Sequence, residues 1–537
     1  MPFKFPKKTV FGKFLLLFFF TLFIYVPVLG KKTSNPDAQY VLPSLYEISG
    51  PGEYLGKLAR FETMDFQPVR DLSFFVDLAI YKASGLVTFA TTNVLLLTLL
   101  AFLFFQLLEK ILPEEKKSSA LYFALVFAAF PLFSQSVGWG MARKHLLASV
   151  FILWATKLVL DFSEGKRTLL PSYLAYVAAC LSHPIAILWP VWVFFHLKFM
   201  KISFSKEGKK LLITSGVTGI LLFLITQMYY KFGNPIHADV YPRIPLKLTD
   251  SFRIFLNAGF DLRQIFFPYQ LSFTYYPDFS LAWQGLIILV LLAVSVYLRR
   301  KDSSYLSWVV FTLMTLPLSL TLPGVYDTYL ILPATGVFIL ISILLPAKKS
   351  VVYSALVLAL AWGAFTFHES SLWANETKIN NRNFVNHPSC QSAMTSMLAS
   401  YEEGSRADPK TLHYFDEHQC FQLAMKYPPA SRRIFLFLEG LMLFYEDQRF
   451  TQEMRRERLK FLGERHYYPR LIYAAMLAKE NKSQEVEDNA LAVLKVTRGP
   501  VPVSSSVSEN ILRPFCQKHQ LTACLEVTNT EPRLGYL

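Results

Sequence analysis

Long apolar runs separated by short polar stretches occupy the first two thirds of the chain. A helix needs about 20 mainly apolar residues to cross a bilayer, because nothing in the lipid satisfies an open backbone. A further apolar stretch, 168–200, predicts either one long helix or two short ones around His183-Pro184. The runs that each predict one membrane-spanning helix are 14–30, 85–108, 120–138, 146–163, 211–229, 282–298, 304–322, 329–346 and 350–367.

The first run follows four lysines and therefore resembles a secretory signal peptide. Its apolar core is long, however, and it lacks a cleavage site of small residues. We therefore predict that it is retained as a membrane anchor.

Basic residues between the runs predict the orientation, because Lys and Arg favour the cytoplasmic ends of spans. With the N-terminus in the cytoplasm, every predicted inner connection is rich in basic residues, provided that 168–200 forms two spans. Lys31 and Lys32, just beyond the first span, are the exception. This charge pattern therefore predicts eleven spans, with the C-terminus outside the cytoplasm. The inner connections are 109–119, 163–168, 198–210, 299–303 and 347–350.

The sequence therefore predicts an all-α polytopic membrane domain, 1–367, with large outer loops at 31–84 and 230–281. Within the first loop, 72–84 has the pattern of an amphipathic helix lying along the membrane interface. The tail, 368–537, is polar and predicts a separate helical domain outside the cytoplasm. Two of its segments, 438–450 and 472–484, align at an offset of 34 residues, the period of tetratricopeptide repeats, although two similar amphipathic helices would also explain them.

The cysteines agree with this division of the chain. Cys180 lies in a span, whereas the other four lie in the tail, where the oxidising side of a membrane permits two disulfides. If each cysteine bonded to the one nearest in sequence, Cys390 would pair with Cys420 and Cys516 with Cys524. Four cysteines, however, allow three pairings. Free buried thiols are the alternative.

Composition narrows the class of protein. Hydrophobic residues make up 53% and charged residues only 17% of the 537 residues, yet the net charge is +15. So apolar a chain is not disordered, and it lacks the polar basic surface of a soluble nucleic-acid-binding protein. The sequence also lacks a P-loop, a dinucleotide-binding glycine pattern, HExxH and CxxC. Chemistry is therefore expected from polar residues held against the membrane.

Candidate residues lie in the predicted outer loops. Asp37, just beyond the first span, is suited to act as a general base on a hydroxyl acceptor, although it could be an ordinary solvated acid. Arg143, Lys144 and His145 lie in the short outer turn 138–149 between two spans, where the cations could bind phosphate oxygens or only lipid headgroups. His183 caps a short turn, where a lone histidine is often structural. The second large loop adds Arg243, Arg253 and Arg263 as a possible basic pocket for a lipid phosphate.

Several ordered motifs resemble those of GT-C glycosyltransferases, most closely the transmembrane and tetratricopeptide-repeat O-mannosyltransferases and their bacterial relatives. Each motif is weak alone, and the order of the set carries the resemblance. The motifs are PDAQYVLPSL (36–45), FQPVRDLSFFVD (66–77), FPLFSQSVGWGMARKHLLAS (130–149), LSHPIAILWP (181–190), FPYQLSFTYY (267–276), YDTYLILPATG (326–336) and SLWANETKINNRNFVNHP (371–388).

The resemblance implies transfer, with inversion, of a sugar from a polyprenyl-phosphate donor to an acceptor on the outer side, with a protein Ser or Thr hydroxyl expected. It implies Asp37 as the base and Arg143 as a donor-phosphate contact, with no obligatory metal. The tail would hold the acceptor polypeptide. The compartment would be the bacterial periplasm, or the endoplasmic reticulum lumen in a eukaryote.

The chain departs from the family pattern at four positions. Pro36 replaces a paired acid, His145 a usual Asp, His183 a common Lys, and Thr328 an Arg that follows the acid matched by Asp327. These losses could mean a changed donor, a relocated phosphate site or loss of catalysis. A lipid-linked sugar transporter and a non-catalytic membrane scaffold are the alternatives. Spans mostly free of charge speak against the transporter, and eleven spans exceed what a scaffold needs.

Overall fold

A computed structural model describes most of residues 1–367 and parts of the tail. Of the described residues 86% are helical and none is in a strand, which confirms the all-α class. The described residues are 10–30, 45, 48–63, 65–163, 169–201, 206–232, 258–268, 271, 282–316, 327–386, 388, 390–402, 408–418, 420, 453, 456–457, 459–460, 470, 473–474, 476–478, 483–497, 513–518 and 520–521.

The α-helices follow the predicted apolar runs and continue into the polar tail. In chain order they are α1 (Val10–Tyr25), α2 (Pro51–Ala59), α3 (Pro68–Ser84), α4 (Phe89–Ile111), α5 (Ala120–Ala128), α6 (Phe133–Gly138), α7 (Arg143–Ser163), α8 (Leu170–Ser182), α9 (Trp189–Phe199), α10 (Lys206–Phe232), α11 (258–266), α12 (Ala282–Leu298), α13 (Ser303–Thr315), α14 (Ile331–Leu344), α15 (Lys349–Trp373), α16 (Glu376–Asn386), α17 (Cys390–Glu402), α18 (Pro409–Glu417), α19 (Ser483–Thr497) and α20 (Arg513–Lys518). Short 3-10 helices occupy Val26–Val28, Glu114–Ser119, Gly140–Ala142, Pro184–Leu188 and Asp327–Leu330.

Six segments in the described part of the chain are long and apolar enough to cross a membrane, against eleven predicted spans. Shorter apolar helices account for several of the other predicted runs, among them Leu170–Ser182, Pro184–Phe199 and Ile287–Leu298. The six are Val10–Val28, Phe89–Ile111, Gly140–Phe162, Glu207–Tyr229, Asp327–Leu344 and Lys349–Trp373.

Proline explains two of the breaks. The stretch 168–200 forms two helices, because His183 is extended and Pro184 starts a 3-10 turn between them. This fits the two-helix alternative of the sequence. The run 120–138, which predicted one span, is also divided: α5 ends at Ala128 and α6 begins at Phe133, with Pro131 between them. A proline lacks the N–H that an uninterrupted helix would use and crowds the preceding turn.

Aromatic side chains fill the centre of the bundle where α4, α5 and α14 meet. The rings of Phe104 and Phe127 stack with their centroids 4.4 Å apart, and Phe338 meets Phe127 edge-on at 5.6 Å. Such offset and edge-to-face pairs add to the energy of close packing, which replaces the hydrophobic effect inside lipid. These contacts hold α4, α5 and α14 together.

Ion pairs join three helices at one end of the bundle, which we call the charged end. Asp161 of α7 pairs with Lys110 of α4 at 2.7 Å and with Lys157 at 3.0 Å. Lys13 of α1 pairs with Glu109 at 2.5 Å. The start of α1 and the ends of α4 and α7 therefore lie on the same side, as the alternation of the predicted spans requires.

A disulfide joins Cys390, at the start of α17, to Cys420. Cys516 is also disulfide-bonded, whereas Cys180 is free and buried. Cys524 and the first of the two repeat-like segments, 438–450, lie outside the described residues. The prediction of tetratricopeptide repeats therefore remains a prediction.

Candidate functional site

Three separate turns bring polar rings together at the end of the bundle opposite the charged end. The imidazole of His145, at the start of α7, lies 4.3 Å from that of His183 and 4.5 Å from the ring of Tyr329. The rings of His183 and Tyr329 are 5.8 Å apart. We call these three residues and Lys144 the polar cluster. His145 is buried, while the other three are partly exposed, so the cluster has an accessible side.

Lys144 supplies the positive charge of this cluster. Burial, together with the positive charge of Lys144, lowers the pKa of His183 well below its ordinary value. The Nδ1 atom of His183 accepts a hydrogen bond of 3.2 Å from the backbone N–H of Ile185. The ring is therefore neutral at pH 7, with its proton on Nε2, where it can donate a hydrogen bond. His183 thus offers an N–H donor within the polar cluster, and Lys144 offers a positive charge.

Arg143 faces away from this accessible side and is fully buried. It pairs with Asp77 of α3 at 2.5 Å, and its Nε donates to Asn93 Oδ1 of α4 at 2.8 Å. Its other donors meet the backbone oxygen of Phe89 at 2.9 Å and the backbone oxygen and Oγ of Ser73 at 3.2 and 3.3 Å.

The face of the Arg143 guanidinium is also covered, because it lies 4.5 Å from the Phe74 ring. The expectation that Arg143 contacts a donor phosphate is therefore corrected. All five N–H donors of the guanidinium are engaged within the protein, and none is left for a ligand. Its role in this structure is to fasten α3 and α4 to the start of α7, next to Lys144.

A second buried arginine organises the first outer loop. Arg70 forms a two-pronged pair with Asp65, at 2.6 and 3.0 Å, and its Nε donates to Asp71 Oδ1 at 2.8 Å. The hydroxyl of Tyr54 donates to Asp71 Oδ2 at 2.8 Å. Burial raises the pKa of Asp71 to about 6 in spite of the opposing pull of Arg70. Asp65 and Arg70 both act electrostatically on His183, so this loop borders the polar cluster.

Thr328, which precedes Tyr329 in the chain, is a buried polar residue, and α11 carries two more. Thr328 is 1% exposed, and its backbone N–H donates to Gln135 Oε1 at 3.0 Å. Asp261 and Gln264 of α11 are 0% exposed. Burial, and next the negative charge of Asp327, raises the pKa of Asp261 well above its ordinary value.

The structure thus gathers only part of the predicted site. Lys144 precedes His145, whose ring contacts that of His183. Arg143 is bound within the protein, and Arg263 is buried with its guanidinium 5.8 Å from the Phe260 ring. Asp37 and Arg243 lie outside the described residues. Among the residues that are described, no group of three or more His, Cys, Asp or Glu side chains is placed to hold a metal ion.

Sequence reasoning missed Asp77, Asp261, Gln264 and Tyr329. A signal existed for Asp77, which is a lone acid in the apolar stretch LSFFVDLAIY and therefore demands a partner. Asp261 and Gln264 are three residues apart, the spacing of neighbours on one helix face, but only the structure shows that they are buried. Tyr329 lies within the motif 326–336, but nothing in that motif distinguished it from its neighbours.

Comparisons of the chain with profiles of protein families, with curated proteins and with solved structures give no match.

Proposed function

We propose that this chain is a membrane glycosyltransferase that moves a sugar from a polyprenyl-phosphate donor to an acceptor hydroxyl on the extracytoplasmic side. The observation that carries the proposal is the polar cluster. One cation, a neutral imidazole able to donate, and a partly exposed tyrosine meet at the end of the bundle, bordered by the first outer loop. A phosphate at the membrane surface requires such donors, and the reaction requires no cofactor beyond its lipid-linked donor.

The reaction balances without a metal. The acceptor O–H gives its proton to Asp37 while its oxygen attacks the anomeric carbon of the sugar. The bond between that carbon and the phosphate oxygen breaks, and the polyprenyl phosphate leaves with the electron pair. Attack from the face opposite the phosphate inverts the anomeric centre. Lys144 and the Nε2–H of His183 stabilise the negative charge on the leaving phosphate, a role that depends on donors fixed in advance.

Substitution of Lys144 tests this role. The Lys144→Ala variant should lose about 100-fold in the rate of transfer, because removal of one fixed donor to a developing charge has an effect of this size. Lys144→Arg should retain part of the rate. The measurement uses purified protein in nanodiscs and short-chain polyprenyl-phosphate sugars. Lys57→Ala is the matched control, since Lys57 is a first-loop cation paired with Glu53 at 3.3 Å. Equal rates for the Lys144 and Lys57 variants would contradict the assignment.

Cells with and without the gene supply the broader test. Glycoproteomics and glycolipid profiling should show one class of glycoconjugate that disappears with the gene. No change in either profile would favour a scaffold or a transporter over an enzyme.

Orientation is tested by cysteine labelling. Lys209→Cys, in an exposed position at the start of α10, should resist a membrane-impermeant maleimide in intact cells and react after permeabilisation, because the connection 198–210 is predicted to be cytoplasmic. Ser84→Cys, exposed at the end of α3, should react in intact cells. The opposite result at both positions would invert the topology and place the polar cluster in the cytoplasm. Cys180 is free but buried, so the background should be low.

A further inference from the structure

Two buried amide side chains join the segments that carry the polar cluster. One is Gln135 of α6, which is 1% exposed. Its Oε1 atom accepts a hydrogen bond of 3.0 Å from the backbone N–H of Thr328, in the 327–330 turn. Tyr329 is the next residue of this turn, and its ring lies 4.5 Å from that of His145. Gln135 therefore connects α6 to the segment whose aromatic ring belongs to the polar cluster.

The other amide is Asn93 of α4, which is 0% exposed and forms hydrogen bonds in two directions. Its nitrogen donates to the backbone oxygens of Ser136 and Val137, at 3.3 and 3.2 Å. Its oxygen accepts from the Nε of Arg143 at 2.8 Å. A single side chain thus ties the C-terminal part of α6 to the first residue of α7, two residues before His145.

These contacts form a closed path around the polar cluster. The path runs from the start of α7 through Asn93 to α6, from Gln135 to the 327–330 turn, and from Tyr329 back to His145. Each link is a hydrogen bond or a ring contact between segments that are distant in the sequence. A functional site keeps its geometry only when the residues behind it are themselves fixed in this way.

His183 is the member of the polar cluster on which this support acts. Its Nδ1 is held by the backbone N–H of Ile185 at 3.2 Å, and the remaining freedom of the ring is limited by its neighbours. These are the ring of His145, at 4.3 Å, and that of Tyr329, at 5.8 Å. A displacement of Tyr329 therefore leaves the His183 ring, and its Nε2–H, less well oriented.

We propose that Gln135 is a positioning residue for the transfer: by holding the 327–330 turn it places Tyr329 so that the Nε2–H of His183 meets the leaving phosphate. This inference rests on the proposed function and adds to it a residue that does not touch the substrate. The charge on the phosphate develops in the transition state. Misplacement of the donor therefore lowers kcat and leaves KM nearly unchanged.

The experiment compares variants that differ in one buried hydrogen bond. Gln135→Met keeps a side chain of similar length without the carbonyl, whereas Gln135→Glu restores an oxygen that can accept from Thr328. Ser172→Ala is the matched control, because the buried hydroxyl of Ser172 donates to the backbone oxygen of Ala155 at 3.0 Å. Ser172 lies at the end of α8 that is far from His183.

The full-length proteins are purified in nanodiscs and assayed with a Ser/Thr peptide as acceptor. The donors are short-chain polyprenyl phosphates of glucose, mannose, galactose and N-acetylglucosamine, and the donor that the wild type uses is kept for the variants. The constants kcat and KM are measured, with kcat expressed per folded molecule. A second measurement does not depend on activity: 3-fluorotyrosine at position 329 gives a ¹⁹F NMR signal that the ring currents of His145 and His183 shift.

We expect Gln135→Met to lower kcat by about 10- to 100-fold, the size of effect that a small misplacement of a catalytic group produces, with KM nearly unchanged. Gln135→Glu should recover part of the rate. The fluorine signal should move in Gln135→Met, return towards its wild-type position in Gln135→Glu and stay in place in Ser172→Ala. In the His183→Ala background, Gln135→Met should have little further effect on kcat, because the ring that it positions is absent.

The possible failures are distinguishable. If the wild type transfers none of the four sugars, the proposed function fails, and this inference fails with it. If the wild type is active, the positioning role alone is overturned by any of three results: an unmoved fluorine signal in Gln135→Met, a kcat per folded molecule no lower than that of Ser172→Ala, or a full further loss in the His183→Ala background. If Gln135→Met does not fold, Gln135→Asn takes its place with the same expected directions, since its carbonyl is one methylene further from Thr328.

Discussion

Replacing Arg143 with methionine should destabilise the folded protein by about 3–5 kcal/mol, because it leaves the carboxylate of Asp77 buried without its cation. A typical domain is stable by only about 5–15 kcal/mol, so much of the variant should be lost to aggregation. The hydroxyls of Thr88 and Thr92, which donate to Asp77 at 2.6 and 2.7 Å, cannot neutralise the charge. Thermal unfolding and the monodisperse fraction in detergent measure the effect.

A double substitution separates this structural role from phosphate binding. Asp77→Asn in the Arg143→Met background should recover part of the lost stability, because a neutral amide does not leave an unpaired charge in the protein interior. The control, Arg60→Met, removes a cation from an exposed pair with Glu62 and should change stability by less than about 1 kcal/mol. An Arg143→Met protein that folds normally and loses only sugar transfer would contradict the structure and restore the phosphate contact that the sequence suggested.

The helices were largely predictable because hydrophobicity over about 20 residues is a strong signal. The run 282–298 coincides with α12, and 146–163 lies within α7. Where prediction failed, a local effect competed with hydrophobicity: around Pro131 an apolar run that could span a bilayer is divided between α5 and α6. Composition alone does not reveal such a division, since all the residues involved are apolar.

The site was predictable only where position in the chain decides the role. Lys144 lies at the start of a helix and His183 lies between two helices. The predicted spans therefore already place both residues at helix ends. Arg143 has the same sequence context as Lys144, yet one is buried and the other is partly exposed. The difference comes from Asp77 and Asn93, which are 66 and 50 residues away, and no local pattern encodes such a contact. The same holds for Asp261, whose neighbour Asp327 belongs to a distant segment.

Asp37→Asn should have the largest effect on the chemistry, with a loss of about 100- to 10,000-fold in transfer, the usual contribution of a general base. Asp37 lies outside the described residues, and the prediction rests on its place as the first acid after the first span. Of the residues that follow it, Leu45 and Ile48 belong to the buried core.

The rate, the folded yield and membrane insertion of Asp37→Asn must be measured together, with Glu53→Gln as the control. Glu53 is a first-loop acid that accepts hydrogen bonds from the backbone N–H and the hydroxyl of Ser49, both at 2.8 Å, so it is already occupied and should not affect the rate. Asp37→Asn should insert and fold like the control, because an amide of the same size removes only the basicity. If it transfers sugar at the normal rate, another group takes the acceptor's proton. If Asp37→Asn and Lys144→Ala are both inactive but equally well folded, base and phosphate site act in one reaction, which a membrane scaffold would not require.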